Sequence, residues 1–220
     1  MTTRFAVIGA SGFGREVMPL LRTVAVPLSS AGSTICFVDD KPPSARLNGQ
    51  AVVTFQEWIE QEASERLAVI AIADSAVREK MAIRCEQHGV KFLELRANNV
   101  VVMDDVFFGP GAVLCPFVTV TSNVRVGRHF HANIYSYVAH DCVIGDFVTL
   151  APAVKCNGNV VIEDHAYIGT GAVLRQGRPG EPLVIGRGAV VGMGAVVTRS
   201  VPAGATVVGN PARPLEAPPG

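Results

Sequence analysis

The chain has 220 residues, enough for two small domains that each bury a core, and its 19 basic and 19 acidic residues balance to a formal net charge of zero. That balance, with no run of like charge, excludes nucleic acid and anionic membrane surfaces as expected partners. No apolar stretch approaches the roughly 20 residues of a membrane span, and the five cysteines (Cys36, Cys85, Cys115, Cys142, Cys156) are scattered without a CxxC pair, so the chain reads as reduced and cytoplasmic.

In chain order, Arg4–Ile8 reads as a short strand that runs into Gly9-Ala10-Ser11-Gly12-Phe13-Gly14, and Arg15 to Arg22 reads as a helix despite Pro19. A glycine turn between strand and helix frees backbone N–H groups to hold phosphate, or is simply a tight turn. Its spacing is GxxGxG rather than the GxGxxG of dinucleotide enzymes, which disfavours NAD. Thr34–Val38 is a second strand ending in Asp39-Asp40, where a carboxylate can meet ribose or base edges or can face solvent before Pro42 and Pro43. Val52-Val53 is a third strand, and a short helix near Phe55–Glu62 packs the single Trp58. Leu67–Ala73 is a buried strand; Asp74-Ser75 caps a helix that runs to about His88; Val90–Leu95 is the last strand. Alternating strands and helices predict a small Rossmann-like parallel sheet over residues 1–96.

From Val102 the period changes to six. Val102, Phe108, Leu114, Val120, Val126, Ala132, Val138, Ile144, Leu150, Cys156, Ile162, Ile168 and Leu174 are all apolar in a chain that is 49% hydrophobic, a coincidence of roughly one in ten thousand. A second apolar file from Val106 to Ala172 is interrupted only by Ser136, and Gly109, Gly127, Gly145 and Gly169 follow the first file, where they predict tight corners. Six residues make one flat side of a coil, and stacked coils bury an apolar column that one repeat could not bury alone. The step breaks at Arg175–Pro182, a loop whose two arginines either meet an anion or solvate the loop, and resumes from Ile185.

The hexads, such as Ile144-Gly145-Asp146-Phe147-Val148-Thr149, resemble those of left-handed parallel β-helix acyltransferases, in which three subunits pack side by side and acyl-CoA lies between neighbours. With Val7-Ile8-Gly9-Ala10-Ser11-Gly12-Phe13-Gly14 and Phe37-Val38-Asp39-Asp40-Lys41 ahead of them, the chain is similar to bacterial nucleotide-sugar N-acetyltransferases of the bacillosamine and perosamine type and to sialic-acid O-acetyltransferases. The resemblance implies an α/β domain over 1–96, a left-handed parallel β-helix over 97–213, a flexible tail over 214–220, a homotrimer, and acetyl-CoA as co-substrate. It further implies that Gly9, Ser11, Gly12 and Gly14 line phosphates, while Asp39, Asp40 and Asp74 meet the nucleoside.

Acetylating an amine requires that a proton be removed near neutral pH, a task that suits histidine. His88 sits near a helix end. His129 and His131 lie two apart without a third ligand at useful spacing, so no metal is expected. His140 falls in Val138-Ala139-His140-Asp141-Cys142-Val143, at an outward slot near a corner. That segment resembles the family's active-site run, which implies that His140 is the general base and Asp141 its supporting acid. By the same resemblance Asn133 lies near the reacting sugar, and Thr149, Gly158, Thr170, Met193 and Arg213 lie along acetyl-CoA. Thr149 stands where bacillosamine-type members carry a second histidine. The function implied is acetyl-CoA-dependent N-acetylation of a UDP- or GDP-linked amino-dideoxy sugar. The alternatives are O-acetylation of a sialic-acid-type sugar and a non-catalytic, nucleotide-sugar-binding solenoid.

Overall fold

The computed structural model describes residues 2–42 and 44–215. It divides into two compact units, Met1–Leu95 with Pro110–Ala112, and Arg96–Gly109 with Val113–Gly220.

The first unit is a six-stranded sheet with three helices. Its elements are β1 (Thr3–Ile8), α1 (Gly12–Leu28), β2 (Thr34–Val38), β3 (Arg46–Leu47), β4 (Gln50–Val53), α2 (Phe55–Glu60), β5 (Glu65–Ile70), α3 (Ser75–Gln87) and β6 (Lys91–Phe92). The order is β3-β4-β2-β1-β5-β6, parallel except for β3. Strand β1 lies between β2 and β5, so successive crossovers leave it in opposite directions, and a crevice opens beyond its carboxyl end. β1, β2 and β5 end in runs of buried side chains, as strands covered on both faces must. Helix α1 is longer than its sequence suggests, and both Pro19 and Pro27 lie inside it. Trp58 is fully buried, and Asp74 caps α3 by accepting the Val77 N–H at 2.9 Å.

The second unit is the left-handed parallel β-helix. Two- and three-residue strands repeat every six residues and pair with the strand one coil on, eighteen residues away, as in Val113–Leu114 with His131–Ala132 and then Thr149–Leu150. Both apolar files point inward and are buried almost throughout. Ser136 is the instructive exception: its hydroxyl donates to Ala151 O at 2.8 Å and accepts the Val154 N–H at 3.1 Å, so a polar atom in the column is fully used. Cys142 and Cys156 fill inward slots, and all five cysteines are buried and free.

The corners are not built as the glycine spacing predicts. From Asp105 to Gly171 the left-handed residues are Asp105, Gly111, Phe117, Asn123, His129, Tyr135, Asp141, Phe147, Ala153, Asn159, His165 and Gly171, one every six, with φ between 52° and 79°. Gly109, Gly127, Gly145 and Gly169 instead allow coils to touch. A Cβ on Gly127 would lie 2.7 Å from the Asp146 nitrogen, and one on Gly109 would lie 2.7 Å from the Gly127 carbonyl carbon. The loop at Arg175–Pro182 turns through an Arg178–Glu181 bridge, after which Leu183–Ile185 rejoins the column on Val160–Ile162. Arg213–Pro214, where the expected tail begins, pairs antiparallel with Thr206–Val208; residues 216–220 of that tail lie outside the described residues.

Candidate active site

The candidate base lies at the solenoid corner between the sides bearing Tyr137–Val138 and Val143–Ile144. His140 and Asp141 occupy that corner, with side chains 48% and 46% exposed. Asp141 is one of the left-handed residues (φ 58°), and this turn lets adjacent side chains meet: His140 Nδ1 lies 2.7 Å from Asp141 Oδ2. An ionised carboxylate only accepts, so Nδ1–H donates and Nε2 is the ring nitrogen able to take a proton. The His140 hydrogen bond, then that from Asn123 Nδ2 at 3.1 Å, hold the Asp141 carboxyl below its ordinary range. The carboxylate therefore stays charged wherever the histidine works as a base.

Gly158, one coil on, forms the wall of this corner. A Cβ there would lie 2.5 Å from His140 Cε1 and 2.6 Å from Nε2, so the imidazole fills the space that a side chain would take. This contact explains the glycine independently of any ligand. The His140 carbonyl also accepts the Asn159 N–H at 2.9 Å.

The remaining expected residues separate by corner. Asn133 sits at the other end of the side that leads to His140; its side-chain amide donates to Leu150 O at 3.0 Å. Thr170 and the 81% exposed Met193 follow at that same corner on later coils. Thr149 belongs to the side opposite the His140 corner, between His131 and Tyr167, and is only 6% exposed. Arg213 is exposed near the last coil. The other histidines have structural partners. His129, Phe147 and His165 stack along one corner at 5.1 and 5.3 Å, and His88 ends α3 with Nδ1 2.9 Å from Arg84 O. No cluster of three potential metal ligands occurs among the described residues.

In the first unit, a cleft of about 400 Å³ opens beyond β1, lined by Ile8, Gly9, Ser11, Val38, Asp39, Asp40, Lys41, Ile72, Ala73, Val77 and Met81. A neighbouring hollow adds Ala10, Arg15 and Leu47. Apolar walls beside Ser11, Arg15, Lys41 and the start of α1 suit a flat apolar ring joined to an anion. The sequence reading missed Arg15, Lys41, Ile72, Val77 and Met81. The two cations were legible beside the turn, whereas the apolar residues looked like ordinary core.

The expected phosphate and nucleoside residues have distinct places. Gly9 adopts φ 106°, and Gly14 is buried against the Gly9 carbonyl, so it serves close packing of α1 rather than lining the cleft. Gly12 opens α1 and lines neither hollow. Asp39 accepts the Ala10 and Lys41 N–H groups at 3.0 and 2.9 Å, tying the turn to the end of β2. Asp40 accepts the Phe55 N–H at 2.9 Å and pairs with Arg84. Burial pushes the Asp40 carboxyl up, but these two partners together outweigh it and hold the group low. Asp74 is the α3 cap and is not in the cleft lining.

Residues 4–85 match the family described as the PglD N-terminal domain. Over 212 residues, 96% of each chain, the protein is 46% identical to the GDP-perosamine N-acetyltransferase of Escherichia coli O157:H7. Its structure is similar to that of WeeI from Acinetobacter baumannii AYE, with a TM-score of 0.93 and 56% identity over 97% of this chain and 100% of that one. It is also similar to the acetyltransferase domain of PglB from Neisseria gonorrhoeae FA1090 in complex with acetyl coenzyme A, with a TM-score of 0.85 and 29% identity over 96% and 98% of the two chains.

Proposed function

This chain belongs to the family of hexapeptide-repeat nucleotide-sugar N-acetyltransferases, and from that premise we propose that it transfers the acetyl group of acetyl-CoA to the amine of a GDP-linked, perosamine-type amino sugar. The observation that carries the mechanism is the His140–Asp141 pair, held at 2.7 Å on an exposed corner. In this reading the sugar amine attacks the thioester carbonyl directly. The C–N bond forms, the C–S bond breaks, His140 Nε2 receives the proton of the nitrogen, and the thiolate leaves to become CoA thiol. Asp141 fixes the tautomer and stabilises the imidazolium as it forms.

The cleft beyond β1 supports a nucleotide-bearing acceptor over a free acidic sugar. A base fits between Val38, Ile72, Val77 and Met81, and a diphosphate fits beside Ser11, Arg15 and Lys41. The division of the solenoid residues supports a homotrimer, because Asn133, Thr170 and Met193 lie at one corner and His140 at another, and a seam between protomers would join two such corners. The exposed Phe117–Tyr135 stack, with parallel rings 4.7 Å apart, supports such a seam.

Thiol release from acetyl-CoA, measured against a panel of GDP- and UDP-linked amino sugars, tests the proposal. Amine-dependent release with a GDP-linked 4-amino sugar is expected, and His140→Ala is expected to lower it about 10²–10⁴-fold while the protein remains folded. Absence of release with every amino sugar would overturn N-acetylation and leave the O-acetylating and binding-solenoid readings. An undiminished His140→Ala rate would remove the base assignment.

A further inference from the structure

We propose that Asn123, one coil before the candidate base, is a positioning residue that holds Asp141 in the orientation His140 needs. The inference rests on the reading of His140 as base given above. Asp141 has two carboxylate oxygens, and each is tied: Oδ2 takes the His140 Nδ1–H at 2.7 Å, and Oδ1 takes Asn123 Nδ2–H at 3.1 Å. With one bond alone, a half-exposed carboxylate would swing through solvent and lose its hold on the ring. With both, its plane is fixed and so is the imidazole.

The solenoid makes this contact available without any folding of loops. Asn123 and Asp141 occupy the same corner position on successive coils, both left-handed, with φ of 60° and 58°. The Asp141 N–H reaches Ser122 O at 3.2 Å, which locks the two corners in register. On the following coil, Gly158 bounds the imidazole. The pair is thus held from both neighbouring coils. The partner supplied from the coil before is neutral. The corner Asp on the coil before that, Asp105, instead forms an ion pair with Arg125 at 2.8 Å, so that the Arg125 charge is already engaged. The other titratable neighbour, Cys142, is a buried thiol whose sulfur points to the His140 and Asn157 carbonyls. A neutral amide orients the carboxylate while leaving its charge for the imidazolium.

The test uses Asn123→Gly, which accepts the left-handed backbone and removes the amide, and Asn123→Asp, which keeps the shape but cannot donate. Each is expected to lower kcat about tenfold with the KM of both substrates within about twofold. In an Asp141→Ala background the same changes are expected to alter kcat by less than about twofold, because the residue acts only through Asp141. Unchanged kcat in Asn123→Gly, or an equal loss with and without Asp141, would overturn the proposal; if the glycine variant does not fold, Asn123→Asp decides by the same criteria. Failure here is separable from failure of the base reading: a fully active His140→Ala ends both, whereas an inactive His140→Ala beside a fully active Asn123→Gly ends this inference alone.

Discussion

Gly158 shows how one missing carbon can set the geometry of the proposed base. The imidazole of His140 occupies the volume that a side chain at 158 would claim, at 2.5 to 3.0 Å from three ring atoms. Gly158→Ala would therefore push the ring off its line to Asp141 while leaving the column intact, since no left-handed backbone is recorded there. The expected result is a kcat reduced about 10–100-fold with the KM for acetyl-CoA little changed. If the glycine instead serves close approach of the pantetheine arm, as the resemblance of its segment implies, KM rises and kcat holds, so steady-state kinetics separate the two roles. The sequence displayed His140 and Asp141 side by side, but adjacency alone does not make a hydrogen bond. The left-handed φ of Asp141 does, and no residue type announces it. Asn123 was not singled out for a related reason: its bond to Asp141, one coil on, depends on both residues adopting the left-handed corner backbone.

At the scale of single elements, the carboxylates after β2 do structural work at the edge of the cleft proposed to hold a nucleotide. Asp40 caps the start of α2 and pairs with Arg84, whose guanidinium also lies 4.0 Å over the Phe55 ring. Its folded pKa is depressed, so its contribution is present above the unfolded value of about 3.9 and fades as pH falls through the lower folded value. Both partners are more than a third exposed, which limits the effect to about 0.5–1 kcal/mol. Asp40→Asn is expected to be less stable than the parent by about that amount at pH 7, with the gap closing below about pH 4 in urea titrations. A gap independent of pH would show that the charge contributes nothing. The strand–turn–helix order of this unit was legible because apolar runs and the Asp74 and Thr54 caps punctuate it. The two-residue β3 was not, since Arg46–Leu47 has no pattern to read, and the apolar lining of the cleft was not, because Ile72, Val77 and Met81 are ordinary in any α/β core.

For the molecule as a whole, the only tryptophan gives a selective reporter. Trp58 is fully buried in the first unit, and the solenoid has none. A nucleotide that binds the cleft beyond β1 is expected to raise the tryptophan-detected melting midpoint, by an amount corresponding to about 2.7 kcal/mol at a hundredfold excess over Kd. GDP is expected to do so at lower concentration than UDP, and no shift with either at millimolar concentration would remove the nucleotide reading of the cleft. The solenoid, by contrast, was legible in outline from its period of six, because a column that must be filled at every sixth residue leaves an unbroken apolar record. Its corners were misjudged: the glycines there serve contact between coils, while the left-handed positions accept Phe117, Tyr135, Asp141 or Phe147. Because those bends tolerate full side chains, each coil offers three projecting sites at fixed intervals, decoupled from the residues that fill the column. A new recognition or catalytic group can be installed at such an address by a single substitution, which makes this architecture unusually open to acquiring new chemistry without being refolded.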